Sequence, residues 1–108
     1  MKQQMYDDIV SGLLSFLSEQ AVRIVLYGSE ARGTAAPDSD IDIAVFLNGR
    51  LSPQQEDRLS ELIVDLDLKY GKVVSVVDID HQTYLIWRDV TPFYQNVDRE
   101  GLVLWKAA

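Results

Sequence analysis

The 108-residue sequence contains no cysteine and only one histidine, His81. The absence of thiols excludes a disulfide scaffold, thiolate catalysis and cysteine-ligated zinc, and a single histidine excludes a multi-histidine zinc site. A long apolar run and a signal peptide are also missing, so we expect a cytoplasmic protein that does not cross a membrane. A chain of this length is expected to form a single domain, residues 1–108, and to bury about 65% of its unfolded surface.

Positive charge is scarce as well. The sequence has ten basic and seventeen acidic residues, which gives a net charge of −7 and a pI near 4.4. Nonspecific nucleic-acid binding depends on clustered lysine and arginine, and the sequence has no such stripe, so this class of function is excluded. Acidity by itself contributes mainly solubility, but it acquires a chemical role where carboxylates converge on a cation.

Helical periodicity and turn residues mark the helices. Met5, Ile9, Leu13 and Leu17 recur at helical spacing and predict an amphipathic helix over residues 3–18. Start and stop signals bound a second helix, and further helical segments are expected later in the chain. Ser52-Pro53 marks the start of the second helix and Gly71 its end. The further helical segments are residues 82–88 and the stretch that begins at Thr91.

Short β-rich runs predict the strands, which are residues 22–27, 40–47, 73–79 and 102–105. Residues 30–39 begin like a helical turn and continue as a loop. The order of elements predicts an α/β fold in which a small mixed sheet is flanked by helices. The aromatic residues of the last third are expected to pack on this sheet, with an exposed patch for a partner as the alternative. They are Trp87, Phe93, Tyr94 and Trp105.

Three Asp-x-Asp pairs differ in their context. Asp65 and Asp67 fall in a helix, where residues two apart diverge, so a solvated helix face explains them. Asp40 and Asp42 begin a strand, where alternate residues point the same way and their Cα atoms lie about 6.5–7 Å apart. Such a pair can hold one or two divalent ions, and oxygen ligands suit Mg²⁺ or Mn²⁺. A half-exposed strand with a solvated acidic edge is the alternative.

A Gly-Ser pair follows the first predicted strand. Gly28 lets the backbone approach a ligand, and the amides and hydroxyl at Ser29 can hold phosphate oxygens. Arg32, three residues later, is expected to face the same site and to neutralise phosphate. Each of these residues also has a simpler explanation, as a turn glycine, an N-cap and a surface charge. Taken together with Asp40 and Asp42, they predict a phosphate cradle next to a metal-binding pair.

These residues resemble the signature of the DNA polymerase β-like nucleotidyltransferases. Gly28-Ser29 is followed after ten residues by Asp40-Ile41-Asp42. The wider segments 26–33 and 39–45, and the tail from Pro92 to Gly101, are similar to minimal nucleotidyltransferases of bacteria and archaea. The resemblance implies the polymerase β-like fold and a Mg²⁺-dependent transfer of a nucleoside monophosphate, with ATP as the expected donor. It further implies that Gly28, Ser29 and Arg32 hold the triphosphate, while Asp40 and Asp42 are catalytic and ligate the metal.

One part of the family pattern is missing. Complete sites carry a third carboxylate on the next strand, and the alignment puts Ser75 at that position. Asp78, a candidate metal ligand, lies three residues further and is expected on the opposite face unless a bulge intervenes. Three possibilities remain: two carboxylates suffice, distortion recruits Asp78, or the site binds nucleotide and metal with little turnover. Asp80 is predicted to cap the next helix, and His81 is interpreted as a surface or capping residue.

The resemblance also bears on partners. The chain is expected to be too short for a separate acceptor-binding domain, so acceptor recognition should come from a bound partner or a second copy. Minimal members are usually paired with a helical HEPN-domain toxin, and some silence it by attaching AMP to a tyrosine. The resemblance therefore implies an antitoxin that modifies a HEPN-domain partner in a homo- or hetero-oligomer. A binding module that neutralises its partner by stoichiometric contact and a nucleotidyltransferase acting on small molecules remain as alternatives.

Overall fold

A computed structural model describes residues 2–36 and 39–108 as alternating helices and strands. In chain order these are α1 (Lys2–Leu17), β1 (Ala21–Tyr27), α2 (Gly28–Arg32), β2 (Ile41–Leu47), α3 (Pro53–Tyr70), β3 (Val74–Asp80), α4 (His81–Trp87), α5 (Pro92–Glu100) and β4 (Leu102–Lys106). The predicted elements are confirmed to within one or two residues at most ends. Part of the predicted 30–39 loop, Pro37 and Asp38, lies outside the described residues.

The helix boundaries follow the local sequence. Ser52 caps α3: its side chain accepts a hydrogen bond from the Gln55 amide, and the Gln55 side chain accepts one from the Ser52 amide. Gly71 ends α3 in a left-handed conformation (φ +66°), which an L side chain rarely adopts. Asp80 caps α4, as predicted, because its carboxylate accepts from the Gln82 amide and from the Thr83 hydroxyl.

The four strands form one mixed sheet in the order β3-β2-β1-β4. β1 pairs antiparallel with β2 and with β4, whereas β2 and β3 are parallel and are joined through α3. The β2–β3 register is unbroken from Ile41–Val74 to Leu47–Asp80. This topology brings the end of β1 and the beginnings of β2 and β3 to the same end of the sheet.

Each face of the sheet carries its own apolar core. One face packs against α1 and α3, with the predicted stripe of α1 fully buried. The other face packs against α4 and α5, where Phe46 and Ala44 of β2 contact Tyr84 and Val97. Alternation along β2 places Ile41 and Ile43 in the first core, so Asp42 projects from the second face.

The aromatic residues of the last third only partly follow the prediction. Phe93, Tyr94 and Trp105 pack against the cores, but Trp87 is 53% exposed. α4 has only seven residues and buries Tyr84 alone, so its last turn, which carries Trp87, remains exposed. Within the described residues, no helix is long and apolar enough to cross a membrane.

Candidate active site

Asp42 lies at the centre of the predicted site. On one side its Cα pairs with Tyr27 of the antiparallel strand β1, and on the other with Ser75 of the parallel strand β3. Register partners share a face of the sheet, so Asp42, Tyr27 and Ser75 project together. Asp42 is half-buried there, so its carboxylate is partly shielded from water.

Gly28 makes room for this carboxylate. A Cβ at position 28 would lie 2.5 Å from Asp42 Oδ2, closer than nonbonded atoms approach. Gly28 also has φ +74°, the left-handed region that favours glycine. The sequence therefore needs glycine at this position for two independent reasons, and the backbone of Gly28 lies directly against the Asp42 carboxylate.

The charges around Asp42 act on its pKa in opposite directions. Burial raises the pKa of Asp42, the negative charge of Asp40 raises it further, and Arg32 lowers it. Asp40 and Arg32 therefore both act electrostatically on the Asp42 carboxylate. Two carboxylates that disfavour each other's charge, one of them partly desolvated, form a donor set that a divalent cation would stabilise.

The short helix α2 positions Ser29 and Arg32. It begins at Gly28 immediately after β1, and the Ser29 carbonyl accepts a hydrogen bond from the Thr34 amide at 3.0 Å. Glu30 anchors the helix through two ion pairs. Its side chain is 2% exposed and contacts Lys2 at 3.2 Å and Lys72 at 3.4 Å. The loop that carries the predicted phosphate cradle is thereby fixed to α1 and to the segment before β3.

Arg32 forms an ion pair with Glu100. Its Nη1 donates to Glu100 Oε2 at 3.2 Å, and Glu100 is the last residue of α5. Arg32 is thus paired with Glu100, while its positive charge also lowers the pKa of Asp42. Because Glu100 neutralises part of this charge, it would compete with a phosphate group for Arg32.

Asp78 is separated from the other predicted metal ligands. It pairs with Val45 of β2, on the face that packs against α1 and α3, and it is exposed. The unbroken register contains no bulge that would turn its side chain toward Asp42. Across residues 2–36 and 39–108, no group of three or more acidic or histidine side chains converges to hold a metal. The position beside Asp42 is Ser75, as the family pattern predicted.

Three residues at the site were not identified from the sequence: Tyr27, Phe93 and Glu100. Tyr27 faces Asp42, and burial and the negative charge of Asp42 both raise the pKa of its phenol. Phe93 of α5 contacts the Tyr27 ring edge to face at 5.5 Å. Glu100 reaches Arg32 from 68 positions away. No sequence pattern links these pairs, although the aromatic residue directly before Gly28 was a usable signal for Tyr27.

Comparison with known proteins identifies the family of this chain. Residues 9–100 match the model of the nucleotidyltransferase domain family. A Methanocaldococcus jannaschii protein named "Putative protein adenylyltransferase" is 31% identical over 98 residues, which cover 91% of this chain and 92% of the relative.

Solved structures of toxin–antitoxin complexes also resemble this chain. A crystal structure of a toxin–antitoxin with AMP-PNP superimposes with a TM-score of 0.65 at 28% identity, over 94% of this chain and 73% of the other. A second structure contains a tri-AMPylated HEPN toxin of Shewanella oneidensis in complex with an MNT antitoxin. It has a TM-score of 0.62 at 26% identity, over 99% and 74% of the two chains. With the family model covering most of the sequence, the chain belongs to the nucleotidyltransferase domain family.

Proposed function

We propose that this protein transfers AMP from ATP to a hydroxyl group of a partner protein in a Mg²⁺-dependent reaction. One observation carries the proposal: the Asp42 carboxylate lies against the backbone of Gly28 and close to Asp40 and Arg32. This arrangement combines a place for a cation with a glycine that admits a ligand to the backbone. Membership of the nucleotidyltransferase family supports it.

The roles of the residues follow from their chemistry. Asp40 and Asp42 would hold Mg²⁺ or Mn²⁺, because both offer hard oxygen donors and their mutual repulsion is relieved by a cation. Gly28 and Ser29 would hold the triphosphate, and Arg32 would neutralise a phosphate oxygen. The metal supplies charge neutralisation and positioning on the phosphates. Asp78 has no role in this proposal, since it lies on the other face of the sheet.

The transfer itself needs one bond formed and one broken. The acceptor oxygen attacks the α-phosphorus of ATP, the bond to the β,γ-pyrophosphate breaks, and the acceptor hydroxyl loses its proton to the carboxylates or to water. The rings of Tyr27 and Phe93 pack edge to face next to Asp42, with their centroids 5.5 Å apart.

For the acceptor we propose a HEPN-domain toxin, with this chain as its antitoxin. The support is the likeness to an MNT antitoxin that is solved in complex with a tri-AMPylated HEPN toxin. The relative from M. jannaschii, named for protein adenylyl transfer, is consistent with a protein acceptor. We place the reaction in the cytoplasm, where ATP and Mg²⁺ are available.

Ser75 favours a second candidate function. Because a serine faces Asp42 where the family has a third carboxylate, the second candidate is a chain that has lost turnover and neutralises its partner by stoichiometric contact alone. In that case nucleotide and metal would still bind, but no AMP would be transferred.

One experiment separates the two functions. The protein is incubated with labelled ATP, Mg²⁺ and a HEPN-domain protein from the same genome, and the mass of that protein is followed. Transfer predicts a mass increase of one or more AMP groups, which Asp40→Asn and Asp42→Asn abolish. If wild type and both variants inhibit the toxin equally and no mass is added, the stoichiometric function is supported and transfer is excluded. The exposed Asp78→Asn variant is the matched control and should behave as wild type.

A further inference from the structure

A basic cavity lies at the end of the sheet opposite to Asp42. Its volume is about 280 Å³, and its lining includes Arg23 of β1, His81 and Tyr84 of α4, Arg88, and Lys106 of β4. Among the residues that line it in the described part of the chain, none is acidic. Three of the ten basic residues, together with the only histidine, therefore meet at one cavity of a chain whose net charge is −7.

Within the described residues, two of these cations form no ion pair. In the described ranges, neither Arg88 nor Lys106 has a carboxylate within 4.0 Å, whereas Lys2, Lys69 and Lys72 each have one. Arg88 and Lys106 therefore bring two positive charges without an ion pair in the described residues to one cavity of an acidic chain. Unpaired charges that converge give a positive potential which an anion would neutralise.

Arg23 is held rigidly at the cavity. Its guanidinium lies 4.1 Å from the centroid of the Phe46 ring and 5.3 Å from that of Tyr84. Its side chain is only 20% exposed, and it contacts Asp98 at 3.5 Å. Asp98, which also accepts from the Tyr84 hydroxyl, offsets one of the three positive charges. A fixed guanidinium loses little entropy when it binds a ligand.

The cavity is distinct from the candidate active site. Arg23 precedes Tyr27 by four residues on β1, which corresponds to about 13 Å along a strand. Lys106 ends β4 and Arg88 directly follows α4, and both lie at the same far end. A ligand in the cavity would therefore not contact Asp40 or Asp42.

We propose that this cavity binds a phosphate group. The two charges that remain after the Asp98 contact match a phosphate dianion, and arginine forks bind its tetrahedral oxygens through paired hydrogen bonds. A carboxylate carries half this charge and would leave one cation unneutralised. The phosphate group could be free inorganic phosphate or part of a mononucleotide, and the two sources are separated below. The proposal does not depend on AMP transfer.

The single histidine provides the test. His81 lines the cavity, and its ring stacks on Tyr84 with centroids 5.9 Å apart. Because it is the only histidine of the sequence, its imidazole proton resonances can be assigned directly and report on ligand binding in the cavity. Inorganic phosphate, AMP and adenosine are titrated separately at constant pH and ionic strength, in EDTA to keep the metal-dependent site out of the measurement. We expect saturable shifts of the His81 resonances with phosphate, AMP or both, and none with adenosine.

Variants assign the shifts to the cavity. Arg88→Ala and Lys106→Ala, both at exposed positions, are each expected to weaken binding about tenfold. Arg58→Ala removes an exposed arginine of α3 and should bind as wild type. Binding of phosphate identifies the free anion as a ligand, and binding of AMP alone identifies a nucleotide. The proposal is overturned if neither shifts His81 saturably, or if the Arg88 and Arg58 variants weaken binding equally.

Discussion

Asp42 and Ser75 are register partners on adjacent parallel strands and project from the same face of the sheet. Strands in a sheet lie about 4.8 Å apart, so a carboxylate at position 75 would reach any cation held by Asp42. The chain instead has a hydroxyl there, which is a weaker ligand for Mg²⁺. The strength of the metal site therefore depends on this pair.

Ser75→Asp should strengthen the metal site. We expect the Mg²⁺ concentration that gives half-maximal AMP transfer to fall about tenfold, because a third oxygen anion is added to the site. Without metal the same variant should melt at a lower temperature than wild type, since three like charges repel. Ser75→Asn, which is similar in shape but neutral, is the control. An unchanged Mg²⁺ dependence in Ser75→Asp would show that the hydroxyl already suffices or that another group serves.

Asp42→Asn should lose activity without losing stability. Transfer should fall at least about a hundredfold, because the central charge of the site is removed. The raised pKa of Asp42 means that the fold disfavours its charged form, so a neutral asparagine should leave the free energy of unfolding at pH 7 equal or higher. Kinetics and urea unfolding measure the two effects. A variant that lost both would indicate that Asp42 supports the fold rather than the reaction.

Gly28→Ala should impair the site through a steric collision. The added methyl would overlap Asp42 Oδ2, so we expect both weaker metal binding and a loss of transfer. Gly33→Ala is a close control, because Gly33 has the same φ of +74° but nothing within 4 Å of an added Cβ. Both variants should lose about 1–2 kcal/mol of stability from the left-handed backbone. Equal activity of the two variants would mean that the contact with Asp42 is unimportant.

Glu100→Gln should release Arg32 for the triphosphate. Because the ion pair at 3.2 Å is partly exposed, we expect the KM for ATP to fall about two- to fivefold, with little change in kcat. Steady-state kinetics at saturating Mg²⁺ measure both quantities. Glu61→Gln on the exposed side of α3 makes the same change of net charge and should leave KM unaltered. A higher KM in Glu100→Gln would instead show that Glu100 orients Arg32 for binding.

The Asp80 cap should make stability depend on acid pH. Hydrogen bonds from the Thr83 side chain and from the Gln82, Gly49 and Thr83 backbone lower the pKa of Asp80 below its ordinary value of 3.8. A lowered pKa contributes stability above the ordinary value, and this contribution is lost as the pH falls through the lowered one. Wild type should therefore be more stable than Asp80→Ala at pH 7, and the difference should shrink below about pH 4. Urea unfolding at both pH values measures it, and a constant difference would contradict the cap.

Local sequence was sufficient for most elements. The stripe from Met5 to Leu17, the Ser52 cap and the glycine stops predicted the helices, because each depends on residues three or four positions apart. The positions of Gly28, Asp40 and Asp42 around one site followed from strand, turn and strand in close succession. Pairs distant in sequence were not predictable: Tyr27 beside Asp42 required the β1–β2 register, and Glu100 beside Arg32 required α5 to pack near α2.

The sequence by itself determined the α/β order, the acidic pair and the glycine that precedes it, since periodicity and turn chemistry act over a few residues. The tertiary structure decided which carboxylates can share a cation. An unbroken parallel register puts Ser75 next to Asp42 and turns Asp78 to the opposite face. It also decided that Arg23, Arg88 and Lys106 meet at one cavity, because β1, α4 and β4 converge at the far end of the sheet. Strand alternation and packing, which act between distant residues, are the physical reason for both outcomes.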